Sequence, residues 1–469
     1  MTARTAVTGP GDVPGGTGLF GPVLHNGPVA GLTDDAAWLR AMLAFEVALA
    51  EAQAEAGSAT EDEAAAVRRA CRAEHFDVDE LGRAARADGN PVLALVHRIV
   101  ELVDADEGGP DGAVSLVHRG ATSQDVLDTA AMLIAAAALD AVEADLRRAV
   151  TAAVALAEAG REMPQAGRTL GVHAAPVTFG FKAASWAVGL VRAGRGLDRV
   201  RREVPTVQLG GAVGTLSVLG AHGPAVVASL ARRLGLAEPV VAWHTERTRI
   251  GELAGALAVV AGAVAKVAGD VVLLSQSEVG EVRDTVAGRG GSSAMPHKRN
   301  PVAAVCARAA AAAVTGPVTV LLGSMAHEHE RAAGAWHAEW LPLVEALRSA
   351  GSAVAWLADC LEHLEPDPEA MAANLARDGA LLQAETVAAG LAAVLGRPAA
   401  QALVRAASDD ARRASVTLRV ALAARPEVAA LVAAGTVDEA ALDRWCDPAA
   451  GIGPAVAAAE RALADVRRW

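Results

Sequence analysis

Apolar residues along this chain recur at steps of three and four far more often than at steps of two. Over 35–56, DAAWLRAMLAFEVALAEAQAEA, the residues Trp38, Met42, Phe45 and Leu49 fall on one helical face. Leu32, Thr33 and Asp34 precede that face as a start signal, and Gly57 ends it. Residues 124–158 are alanine-rich and free of Gly and Pro, 251–279 contain few breakers, and 302–314 and 329–363 repeat the pattern. Alternating β-branched runs bounded by turns are scarce. The chain is therefore predicted to be nearly all α.

Breaks in the pattern divide it. Gly108, Gly109, Pro110, Asp111 and Gly112 form one interruption, and Glu365, Pro366, Asp367 and Pro368 form another. The expected organisation is a flexible Gly/Pro/Thr-rich tail over 1–18, an N-terminal helical domain over 19–110, a central domain of long helices over 111–364 and a C-terminal helical domain over 365–469. The long helices are apolar over wide arcs, so one copy would leave much apolar surface uncovered, and a bundle built from several subunits would bury it. The run LAGALAVVAGAVA at 253–265 is shorter than the ~20 residues a membrane helix needs, so a buried helix is expected there and no membrane partner.

Composition narrows the function. The chain has 469 residues, 52% apolar and 21% charged, and a formal charge of −13. It is long enough for two to four globular domains, and its negative charge argues against nucleic acid as a partner. An anionic substrate then requires a local cationic pocket. Cys71, Cys306, Cys360 and Cys446 are far apart with no CxxC spacing, so neither a zinc site nor a disulfide framework is indicated and a reducing cytoplasm is expected. The first 18 residues lack the apolar centre of a signal peptide. Tyrosine is absent, which leaves histidine, serine, lysine and carboxylates for proton transfer.

Four segments carry candidate chemistry. VHRGATSQDVLDTA, 117–130, packs His118, Arg119, Thr122, Ser123, Gln124 and Asp125 just before an apolar helix. One of them suffices as a cap, and free N–H groups at a helix start also suit a carboxylate. AGRTLGVHAAPVTFGFKAA, 166–184, holds Arg168, Thr169, His173, Thr178 and Lys182. AHEHERAAGAWHAEW, 326–340, lacks HExxH spacing, and alternate residues on a helix point apart, so no metal is expected. Arg331 is a candidate ligand contact there, with Trp336, His337, Glu339 and Trp340 assigned to packing and a polar network. GRGGSSAMPHKRNP, 288–301, breaks an alanine- and valine-rich surrounding with Gly290, Gly291, Ser292, Ser293, Lys298, Arg299 and Asn300. That combination suits an anionic ligand and a proton transfer.

GSSAMPHKRNP resembles the signature loop of the fumarase/aspartase superfamily, and HRGATSQD resembles its first active-site segment. GNPV at 89–92, GRTL, HAAPVTFG, VQLGGAVGT at 207–215, WHTERTR at 243–249, QSEVGEV at 276–282, EHER and GAWHAEW are similar to its 3-carboxy-cis,cis-muconate cycloisomerase branch. The resemblance implies three helical domains, a central five-helix bundle that joins a twenty-helix core in a homotetramer, and active sites drawn from three subunits. It implies a cofactor-independent lyase with a mobile loop whose Ser292 is the general base, Lys298 and Asn300 binding substrate carboxylate, and Thr122 and Ser123 doing likewise. Arg168 and Arg331 are further substrate contacts and His173 a catalytic candidate. The substrate would be a small polycarboxylate.

Two departures bear on the substrate. Leu170 follows GRT where fumarases and adenylosuccinate lyases carry a histidine, which favours a leaving group stable without a proton. Val172 replaces a glutamine usual in the superfamily, removing hydrogen bonds of about 1 kcal/mol each. Lactonisation of 3-carboxy-cis,cis-muconate is the expected reaction. Elimination of nitrite from nitrosuccinate is the alternative, and a catalytically silent helical scaffold is the alternative of another class.

Overall fold

The computed structural model describes residues 17–106 and 109–469. Residues 1–16 of the expected tail and Gly108 of the first break lie outside the described residues. Helices dominate, as the 3.6-residue periodicity predicts. In chain order those that position the site are α1 (Asp35–Glu55), α2 (Glu61–Ala70) and α3 (Ser123–Ala159), then, after a hairpin of β1 (Pro164–Thr169) and β2 (Val172–Thr178), α4 (Phe179–Glu203), α5 (Gly223–Leu234) and α6 (Thr248–Leu274). Strand β3 (Val282–Asp284), α7 (Val302–Ala313), α8 (Thr315–Gly323), α9 (Ala335–Glu362), β4 (Leu364–Pro366), α10 (Pro368–Ala376), α11 (Ala384–Leu395) and α12 (Arg397–Ala414) follow.

Local chemistry sets several ends. Asp34 caps α1, its carboxylate accepting from the Ala37 amide at 2.7 Å, and Gly57 adopts φ +75° beyond its last turn. Thr60 and Glu63 form a reciprocal capping box at the start of α2. The helical pattern expected over 329–363 begins only at Ala335. His329 at φ +47° and Gly334 at φ +120° break the chain before it, and Glu328 accepts from the Ala333 amide at 3.1 Å.

The chain divides into two compact units. Unit one comprises residues up to Leu146, Ala193–Ala265 and Cys306–Trp356, and its core includes Phe45, Leu49, Leu95, Ile99, Leu116, Met132 and Leu139. Trp243 is buried there, with Arg247 and Arg249 placed 5.0 and 4.6 Å from its ring centre. Unit two comprises Arg147–Arg192, Lys266–Val305 and Leu357–Trp469. Phe179 and Trp186 meet edge to face at 5.9 Å, and the Trp186 indole donates to Asp270 at 2.7 Å. Its C-terminal helices close over Val387, Leu391, Val404, Leu418 and Leu442.

The expectation that the apolar run at 253–265 is too short for a bilayer is corrected. Flanking residues continue the helix to Leu274, with Lys266 paired to Asp270 one turn on, so α6 reaches 27 residues. It and the stretch Val302–Gly323 have mean hydropathies of 2.1 and 1.7 and are long and apolar enough to cross a membrane by length and composition. Only 44% and 39% of those windows are buried by the described chain, so the expected burial is incomplete within one copy.

Candidate active site

Unit one assembles the segment before α3. Asp125, fully buried in the first turn, accepts from the amides of Thr122 at 3.0 Å, Gly210 at 3.1 Å and Gly211 at 3.0 Å, and from His244 Nε2 at 2.5 Å. This saturated carboxylate ties three sequence segments, HRGATSQD, VQLGGAVGT and WHTERTR, into one knot. The hydroxyls of Thr122 and Ser123 stand half-buried beside it and take no hydrogen bond among the described residues, which leaves both open to a ligand at the helix start. Arg331 donates to the Gly211 carbonyl, and its half-buried guanidinium is held lower than usual by burial, offset by Asp125 and Asp128.

One turn along α3, Asp128 accepts from Arg247 at 2.8 Å, the Trp336 indole at 3.0 Å and Gln124 at 3.1 Å, while Glu339 pairs with the same guanidinium. Trp336 and Glu339 thus occupy the packing and polar roles expected of them. His327 lies 3.1 Å from Glu339, and the His329 carbonyl accepts from Thr245, so neither joins a ligating cluster.

His118, singled out from the sequence only as one of the polar residues before α3, has a distinct place in the structure. It adopts φ +55° and its Nδ1 donates to the buried Glu46 of α1 at 2.7 Å. Seven residues further along α1, Gln53 accepts from Arg119 Nε at 2.7 Å and donates to the Arg119 carbonyl at 3.2 Å. The signal was present: two polar residues, Glu46 and Gln53, on the otherwise apolar face of α1.

Unit two carries the other candidates. In the hairpin, Arg168 and His173 are cross-strand partners, with Leu170 and Gly171 forming the two-residue turn at φ +53° and +82°. Such a turn favours Asn or Gly, and leucine in it is strained. Leu170 is 104% and Val172 68% exposed, so the tip is apolar and uncovered in this copy. Arg168 forks onto Glu281 at 2.7 and 3.0 Å, and that fully buried carboxylate also accepts from Gln165 and Asn374, each at 2.7 Å. His173 Nδ1 pairs with Asp378 at 2.9 Å. Burial holds the Lys182 ammonium below its usual range, partly offset by Asp270. Strands were not expected here; the hairpin forms because Thr169 and Val172 pair across a tight turn while buried Ala166 faces Leu375 and Leu382.

The loop at 288–301 is tied at its base. Gly290, at φ +75°, offers its carbonyl to the Asn300 amide and side chain, both at 2.9 Å. A Cβ on Gly290 would sit 2.2 Å from the Asn300 carbonyl oxygen, so glycine is required. Within the loop, Ser292 Oγ accepts from the amides of Ala294 at 3.3 Å and Met295 at 3.2 Å. Lys298 is exposed and pairs with no carboxylate among the described residues. Two N–H dipoles aimed at one hydroxyl oxygen favour its anion.

Comparison with known proteins places this geometry. A family profile described as lyase matches residues 29–316. Nitrosuccinate lyase of Streptomyces davaonensis is 42% identical over 95% of this chain and 94% of its own length. The 3-carboxy-cis,cis-muconate cycloisomerase of Pseudomonas aeruginosa is 41% identical over 97% of each chain. The crystal structure of the 3-carboxy-cis,cis-muconate lactonizing enzyme from Pseudomonas putida superposes with a TM-score of 0.89 at 36% identity, covering 96% of this chain and 99% of that one. A full-length match in sequence and fold, together with the signature loop, shows that the chain belongs to the fumarase/aspartase superfamily of lyases.

Proposed function

We propose that this lyase acts on a small polycarboxylate by a serine-base mechanism, without a cofactor. Ser292 removes the proton from the carbon next to a substrate carboxylate, the resulting aci-carboxylate collapses, and the β substituent leaves to form a double bond. The observation that carries this reading is the Ser292 oxygen under the amides of Ala294 and Met295. Serine is a poor base in water, and oriented dipoles with Lys298 close in sequence lower the cost of its alkoxide. Thr122, Ser123, Lys298, Asn300 and Arg331 serve as carboxylate contacts. Arg168 and His173 are cross-strand partners on the hairpin, held by Glu281 and Asp378, Arg168 as a further substrate contact and His173 as a catalytic candidate.

The substrate we propose is 3-carboxy-cis,cis-muconate, lactonised in the addition direction: the same steps run in reverse, one substrate carboxylate adding to the double bond at the β carbon and Ser292, entering as the hydroxyl, giving its proton to the aci-carboxylate carbon. Nitrosuccinate, losing nitrite to give fumarate, is the second reading. The apolar tip of Leu170 and Val172 favours the second, since it offers neither a proton donor nor an amide and suits a smaller, less charged molecule. A homotetramer with active sites drawn from several copies, in the cytoplasm, completes the proposal. The half-covered apolar helices support that assembly. Paired ultraviolet assays on purified protein test the function: loss of carboxymuconate without fumarate from nitrosuccinate supports the first substrate, and fumarate with equimolar nitrite supports the second. Turnover of neither by folded protein removes both.

A further inference from the structure

We propose that His118 is a protonated, substrate-facing residue that hydrogen-bonds the departing anion beside Thr122 and Ser123, with Glu46 as the positioning residue that keeps it so. This rests on the elimination reading above. The hairpin supplies no acid at Leu170, so the charge that develops on the leaving group needs another cation.

The local construction supports this role. Glu46 is 1% exposed, and one of its carboxylate oxygens has no hydrogen-bond partner among the described residues. Its charge is therefore directed at the imidazole, whose Nδ1 lies 2.7 Å from the other oxygen. Binding through Nδ1 fixes the ring and leaves Nε2 without a hydrogen-bond partner among the described residues, four residues before Thr122. His118 holds a left-handed backbone conformation that a histidine adopts at a cost, and Arg119, clamped by Gln53 and Ser58, holds the strained turn from its other side.

The charges around the ring act together. Burial pulls the imidazole pKa down, but the Glu46 charge and hydrogen bond and the nearby Asp125 outweigh it, and the net direction is upward. Among the described residues the charges acting on the ring are Glu46 of α1 and Asp125 of α3, the latter shared with His244, while Arg119 is turned to Gln53 and Ser58. Cys71, near Glu46, has its thiol held neutral by burial and then by that carboxylate. In the step itself Ser292 takes the proton from carbon, the C–H pair becomes the double bond, and the pair of the breaking bond leaves with the anion. The His118 proton stays on Nε2 throughout, so no transfer to the leaving group is required.

The test compares wild type, His118→Gln and Glu46→Gln by two readouts. Site-resolved exchange of histidine C2 hydrogens, followed by mass spectrometry over pH, reports the titration of His118 without any substrate. The proposal expects a midpoint above that of an ordinary histidine, lowered by about one unit in Glu46→Gln. The pH profile of kcat/KM on whichever of the two substrates turns over is expected to lose activity on the alkaline side, with that limb moved to lower pH in Glu46→Gln and the rate reduced roughly 100-fold in His118→Gln. An ordinary or low midpoint in wild type overturns the proposal, as does an alkaline limb unmoved in a folded Glu46→Gln protein. Failure of the elimination reading would show separately, as no turnover of either substrate by wild type.

Discussion

At the scale of single residues, the site depends on polar groups whose partners are fixed by burial. Glu281 illustrates this: Arg168, Gln165 and Asn374 all point at one carboxylate that water does not reach. Glu281→Ala leaves those donors unpaired, and a loss of about 3–5 kcal/mol is expected, read as a lower unfolding midpoint in denaturant. Gly290→Ala forces a Cβ into the Asn300 carbonyl, so the loop base must open. Activity is expected to fall at least tenfold, with helical circular dichroism unchanged, because the clash is confined to the loop. His118 makes a pH-dependent contribution. Its folded pKa is raised, so pairing with Glu46 stabilises the protein fully below the unfolded histidine value, and that part vanishes as pH rises through the folded value. Glu46→Gln should therefore depress the melting temperature more at about pH 6 than at about pH 9.

At the scale of elements, helices were legible and the hairpin was not. Periodicity and caps located α1 and α3 to within a residue or two because their apolar faces and end residues are local properties. The hairpin depends on a leucine forced into a turn that disfavours it, a preference sequence cannot overrule without knowing what covers the tip. Leu170→Gly relieves that strain. The change should raise stability by about 1 kcal/mol while lowering activity, if the tip meets substrate or a second copy. A gain in stability with activity unaltered would assign the tip no functional contact. The candidate motifs were legible one by one, but the Asp125 knot that joins three of them, and the Glu46–His118 pair, required the fold. Charge partners 72 to 119 residues apart in sequence leave no local signature.

At the scale of the whole molecule, the unburied apolar faces of α6 and of Val302–Gly323 call for a covering surface. Val259, Leu273, Val305, Val320 and Leu322 are among the exposed residues there. The homotetramer we propose would supply that cover. Val259→Glu with Val320→Glu is expected to shift the protein from tetramer to smaller species by sedimentation, with activity lost in parallel. Monomers that stay active would separate the site from the assembly. The family was legible in the sequence because its loops carry unusual residues in fixed order. The substrate was not, since it is decided by a few positions such as Leu170 and Val172 and by relatives of equal similarity with different substrates.

The proposed role of Ser292 as the base is tested by the turnover of Ser292→Ala beside wild type on 3-carboxy-cis,cis-muconate and nitrosuccinate, with thermal unfolding and sedimentation of both proteins as controls. Wild type is expected to turn over at least one of them, and Ser292→Ala to be slower by roughly 10²–10⁴-fold with the same melting temperature and assembly. A variant of unchanged stability and assembly that works at the wild-type rate would contradict it.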